Sequence, residues 1–123
     1  MREQGFSLIE ALVAMAVLTI LMGSLIPAFY YYNHANTRTE IKTEAVTVAQ
    51  HLLDEYRQQS PSKMPTSGTT TSNMTTNNRT FAVRTTYCKN SNYCGPNTRQ
   101  ITIEVNYDGK TVYRTETVYT QLH

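Results

Sequence analysis

The chain has 123 residues, enough for one small domain. Eleven Lys/Arg against nine Asp/Glu give a formal charge of +2, but the balance is uneven. Residues 1–59 carry four basic and six acidic side chains, a net of −2, whereas residues 60–123 carry seven against three, a net of +4. Glu104, Asp108 and Glu116 are the only acids after Glu55, and no histidine falls between His51 and His123. No glycine-rich phosphate loop is present. Neither a catalytic constellation nor a metal-ligand cluster is expected, since His34, His51 and His123 are scattered, and no cofactor is implied.

Residues 5–17 read GFSLIEALVAMAV and set one carboxylate, Glu10, inside an apolar run that continues to Tyr32. About 20 apolar residues suffice to span a bilayer, and residues 11–32 supply that length. An ionised carboxylate at membrane depth costs at least ~2.5 kcal/mol, which a plain anchor would avoid. A secretory signal peptide fits less well, because its apolar stretch is short and ends at a small-residue cleavage site. Here the run passes instead into Tyr30, Tyr31 and Tyr32. Gly23 and Ser24 are poor helix formers, and Pro27 lacks a backbone donor and crowds the Gly23 carbonyl. A kink or locally unwound turn is therefore predicted near residues 20–27. The three tyrosines suit the membrane–water boundary or subunit contacts in a fibre.

Met1-Arg2-Glu3-Gln4-Gly5, followed by Phe6-Ser7-Leu8-Ile9-Glu10, closely resembles the leader and processing site of type IV prepilins and type II secretion pseudopilins. Within that superfamily LIEALVAMAVL is most similar to the minor pilins grouped with pilin V and pseudopilin I. The resemblance covers the N-terminal quarter of the chain. It implies cleavage after Gly5 by an inner-membrane prepilin peptidase and N-methylation of the new terminal residue, Phe6. It also implies an unwound stretch ahead of the proline, in agreement with the kink read from Gly23 and Pro27.

Cleavage would create an α-amino cation at Phe6 with a pKa of about 8. Glu10 lies four residues on, ~6 Å along a helix axis. In a helical polymer the amine of one subunit would meet Glu10 of a staggered neighbour. An unpaired charge in a low dielectric is costly and a paired one tolerable, so Glu10 would reward correct register. The alternative is a carboxylate that snorkels or takes a proton in lipid.

Beyond the tyrosines the pattern becomes one-sided. Ile41, Ala45, Val48, Ala49, Leu52, Leu53 and Tyr56 step by three and four along one helical face. Arg38, Glu40, Lys42, Glu44, Gln50, Asp54 and Glu55 are placed mostly on a solvated back. Residues 33–59 thus read as the same helix lying on a small head, ended before Pro61. Residues 60–78 are rich in Ser, Thr and Asn and read as a surface loop. Asn73 and Asn78 open two N-glycosylation patterns there, a match that short polar stretches produce by chance.

From residue 79 onward the period is two. Phe81, Val83, Thr85 and Tyr87 mark one strand face, and Ile101, Ile103, Val105 and Tyr107 another. Asp108-Gly109 signals a turn, for which a bulged loop is expected, with Ile103 opposite Tyr113 and Val105 opposite Thr111. A strict two-residue turn would set Ile103 opposite Arg114. A third strand follows over residues 111–119. The predicted fold is α+β: a long N-terminal helix, half membrane-spanning and half amphipathic, packed on a small antiparallel head over residues 79–123.

Cys88 and Cys94 are the only cysteines. A disulfide closing this short loop would contribute about 2–2.5 kcal/mol by loop entropy and implies an oxidising, extracytoplasmic compartment. Many type IV pilins carry a disulfide-bounded loop, although this one is much shorter than usual and is followed by two strands.

The expected function is a structural one, a minor subunit of a type IV pilus serving adhesion, motility or DNA uptake. Its partners would be other pilin subunits, the prepilin peptidase and the inner membrane before assembly, with an extracellular or periplasmic filament as the final location. The basic head is a candidate for DNA or another anionic surface ligand. A type II secretion minor pseudopilin, or a monomeric membrane-anchored binding module, is the alternative.

Overall fold

A computed structural model of the chain describes residues 7–121. Helix α1 (Leu8–Arg57) leads through a 3-10 turn (Pro61–Lys63) into strands β1 (Gly68–Thr76) and β2 (Arg79–Tyr87). A second 3-10 turn (Ser91–Tyr93) precedes β3 (Thr98–Tyr107) and β4 (Lys110–Thr120). The strands form one antiparallel sheet in the order β1-β2-β3-β4. One long helix and a four-stranded antiparallel sheet make an α+β fold, consistent with that of pilins. The chain divides after Arg38 into two compact units.

In the second unit the apolar stripe of the helix meets one face of the sheet. Ala45, Val48, Ala49 and Leu52 are buried against Phe81, Val83 and Tyr87 of β2 and Ile101, Ile103 and Val105 of β3. Met64, just past the first 3-10 turn, is buried in the same cluster. Each large side chain fully buried here contributes roughly 1.5–3 kcal/mol. Buried Tyr87 donates to the Tyr56 hydroxyl at 3.2 Å, and the Tyr119 hydroxyl donates to the Leu53 carbonyl at 2.7 Å. Burial, and then the bond to Tyr56, push the Tyr87 hydroxyl well above the usual tyrosine range.

About half of the stretch expected as a loop is a strand. Residues 60–78 are polar, yet Gly68–Thr76 forms β1, paired along its whole length with β2. Threonine is β-branched and suits extended backbone even without a core to enter. Most of β1 is exposed; Met74 alone joins the edge of the core as a partly buried apolar side chain. Cross-strand hydroxyl contacts, Thr69 with Thr86 at 3.2 Å and Thr75 with Thr80 at 3.1 Å, supplement the backbone ladder. Asn77 and Asn78 make the connecting turn in left-handed conformation, with φ of 45° and 63°, which asparagine tolerates better than most residues.

The β3–β4 connection also differs from expectation. Tyr107 pairs with Lys110, so Asp108 and Gly109 form a strict two-residue turn, both with positive φ, as the right-handed twist of a hairpin favours. The bulge lies farther along, between Val105 and Asn106 in register. It shifts the pairing by one residue, so that Val105 faces Tyr113, Ile103 faces Thr115 and Glu104 faces Arg114. The unfavourable Ile103–Arg114 pairing is thereby avoided by a bulge within the strands, not by one at the turn.

Candidate assembly and processing site

Gly5 and Phe6, the residues expected at the cleavage and methylation site, lie outside the described residues. The Ser7 carbonyl accepts from the Glu10 and Ala11 amides at 3.0 and 3.2 Å. Glu10 thus occupies the first turn of α1 and is exposed. An acid is favoured at that end of a helix by the backbone dipole. Among the described residues Glu10 has no ion-pair partner.

Around and beyond Glu10 the helix is apolar on every side. Leu8, Ile9, Leu12, Val13, Met15 and Val17 are exposed, as are the apolar side chains through Phe29 and Tyr30, Tyr31 and Tyr32. The helix is long and apolar enough to cross a membrane, and the spanning window buries nothing within the chain. Such a surface in water would be a large liability, so its partner is lipid or protein. Tyr30 stacks on His34 with ring centroids 6.5 Å apart.

Residues 20–27 contain no unwound turn: the helix runs unbroken from Leu8 to Arg57 with Pro27 inside it. Proline removes only its own donor, and the turns on either side retain theirs. The Ser24 hydroxyl donates to the Leu21 carbonyl at 2.8 Å and the Thr19 hydroxyl to that of Met15 at 2.8 Å. A side chain at Gly23 would meet nothing within 4 Å, so this glycine answers to no contact within the chain.

In the second unit, Cys88 and Cys94 are bonded, with their Cα atoms 5.8 Å apart. Cys88 leaves β2 with φ of 51°, its amide donating to the Gln100 carbonyl at 2.9 Å. Among the described residues no group of His, Cys, Asp and Glu is arranged to hold a metal.

Two charged residues behave differently from their sequence placement. Glu44, assigned to the solvated back of the helix, is buried. Its Oε1 accepts from Asn77 at 3.0 Å and from Arg79 at 2.9 Å, while Arg79 also donates to Glu40 at 3.2 Å. The hydrogen bond from Asn77, aided by the bond and charge of Arg79, lowers the Glu44 carboxyl below the usual range against the opposing effect of desolvation. Arg79 is in turn held more firmly protonated, first by Glu40 and then by Glu44. One basic residue of the β1–β2 hairpin thus clamps two acids one helical turn apart. A signal was present in the spacing: Glu44 falls three after Ile41 and four before Val48, on the border of the apolar stripe. Arg99, counted with the basic surface, is also buried, at 5% exposure.

Residues 1–26 match the family model described as the prokaryotic N-terminal methylation motif. Among the curated proteins and among the solved structures nothing matches the chain. The motif supports a type IV pilin-like or pseudopilin-like protein. With the exposed apolar helix that follows it, it fits a membrane-anchored one. It implies processing by a prepilin peptidase and assembly with other pilins, a structural role rather than an enzymatic one.

Proposed function

We propose that this chain is a minor subunit of a type IV pilus, held in the inner membrane by its N-terminal helix and then drawn into a filament. The observation that carries this reading is the methylation motif of residues 1–26 at the head of an apolar helix exposed on all sides. Residues 1–5 are the leader, residues 6–32 the membrane and filament-core segment, and residues 33–59 the part that packs on the head. Phe6 becomes the methylated N-terminus, and its amine pairs with Glu10 of a neighbouring subunit. The head, basic by composition and closed by Cys88–Cys94, faces the periplasm or the outside, where the filament serves adhesion, motility or DNA uptake. A type II secretion pseudopilus would use the same motif and helix.

Processing is the direct test. Intact-mass measurement of the protein from membranes should show loss of residues 1–5 and gain of one methyl group. Gly5→Val, which puts a branched side chain at the scissile position, should leave the full-length chain in the inner membrane. A mature N-terminus at Phe6 in that variant would sink the assignment of Gly5.

A further inference from the structure

Among the described residues Arg99 is a buried cation with no acid paired to it. Its Nε donates to the Met64 carbonyl at 3.3 Å, and its Nη1 donates to the Thr98 carbonyl at 2.9 Å and to the Gly95 carbonyl. Among the described residues no carboxylate lies within ion-pair distance of the guanidinium. Its Nη2 takes none of these acceptors. Three carbonyl dipoles orient the group, but they do not supply the negative charge that a buried cation favours.

Arg99 lines a cleft of about 220 Å³ together with Thr66, Cys88, Cys94, Gly95 and Pro96. The volume is below the ~300 Å³ at which drug-sized sites begin, so it suits one small group. Its lining combines a cation, a hydroxyl, and apolar surface from a proline ring and a disulfide. No large apolar side chain forms a wall, which disfavours a peptide side chain. A net charge of +4 over residues 60–123 would draw acidic polymers toward this part of the chain.

We propose that the Arg99 cleft is a carboxylate-binding site for an acidic sugar unit, such as a uronic acid within a polysaccharide. The carboxylate accepts from the Nη2 hydrogens in a charge-assisted bond, the Thr66 hydroxyl bonds a sugar hydroxyl, and Pro96 supports the ring. The site does not depend on how, or whether, the chain assembles.

The test uses the full chain in detergent micelles, labelled with ¹⁵N, and follows the Arg99 Nε–H signal and the Gly95 amide. Sodium D-glucuronate should shift both saturably in the millimolar range, and glucose should not. Replacing Arg99 would also release three carbonyls and endanger the fold, so the informative variant is Thr66→Asp, at an exposed position. Its carboxylate should occupy the cleft, weaken glucuronate binding roughly tenfold or more and raise Tm. No saturable shift with glucuronate overturns the proposal, as does an equal response to glucose or to sodium chloride at matched ionic strength. Binding of N-acetylglycine in preference to glucuronate overturns the sugar assignment in favour of a peptide carboxylate. Unchanged glucuronate binding by Thr66→Asp places the ligand elsewhere.

Discussion

A carboxylate on a helix is ordinarily solvated, and Glu44 is instead closed in by Asn77 and Arg79, both at the β1–β2 turn. The fork of Arg79 spans Glu40 and Glu44, a geometry that lysine, as a point charge, does not reproduce. Because the Glu44 carboxyl is depressed in the folded protein, its contribution is fully present above the pH range in which an unfolded glutamate titrates. It is lost as pH falls through the depressed value. Thermal unfolding followed by circular dichroism should therefore show stability falling below pH ~4. Glu44→Gln should lower Tm by several degrees at neutral pH and flatten that acid limb. Parallel acid limbs in the two proteins would remove the carboxyl from the explanation.

Elements depend on such residues unequally, and β1 shows the limits most clearly. It contributes little to the core, so its position relies on the backbone ladder with β2 and on the Asn77–Asn78 turn. Asn78, with φ of 63°, should accept Gly with little change, whereas Asn78→Ala should cost about 1–2 kcal/mol. Denaturant unfolding checks the difference, and equal stability of the two variants would contradict the left-handed assignment. The amphipathic half of α1 was legible in the sequence because its apolar residues repeat at helical spacing, and Ala45, Val48, Ala49 and Leu52 are buried as that stripe requires. The alternation of Phe81, Val83, Thr85 and Tyr87 was legible for the same reason. β1 was not, because a threonine-rich strand at the sheet edge carries no hydrophobic period to detect. The burial of Arg99 was not, because it depends on the Met64 carbonyl 35 residues away. For Glu44 the spacing hinted at burial, while its partners Asn77 and Arg79, 33 and 35 residues away, could not be read. The β3–β4 register was not legible either: Asp108-Gly109 states that the chain reverses, but it does not tell a bulged turn from the strict two-residue turn found, nor reveal the bulge between Val105 and Asn106.

At the scale of the whole molecule, the question is what the exposed apolar helix joins, and Glu10 is the residue that separates the answers. It stands in the first helical turn among Leu8, Ile9, Leu12 and Val13, all exposed. Glu10→Gln keeps the shape and length of the side chain and removes its charge. Insertion into the membrane should persist or improve, because an amide is less costly to bury than a carboxylate. Cleavage after Gly5 should also persist, which distinguishes this variant from Gly5→Val. Incorporation into filaments should fall, because the Phe6 amine of the neighbouring subunit then lacks its countercharge and wrong registers are no longer penalised. The amounts of variant and wild-type chain in sheared filament fractions, compared with equal amounts in membranes, measure this directly. A helix that served only as an anchor would give improved insertion and an unchanged filament fraction, and that outcome would withdraw the register role from Glu10.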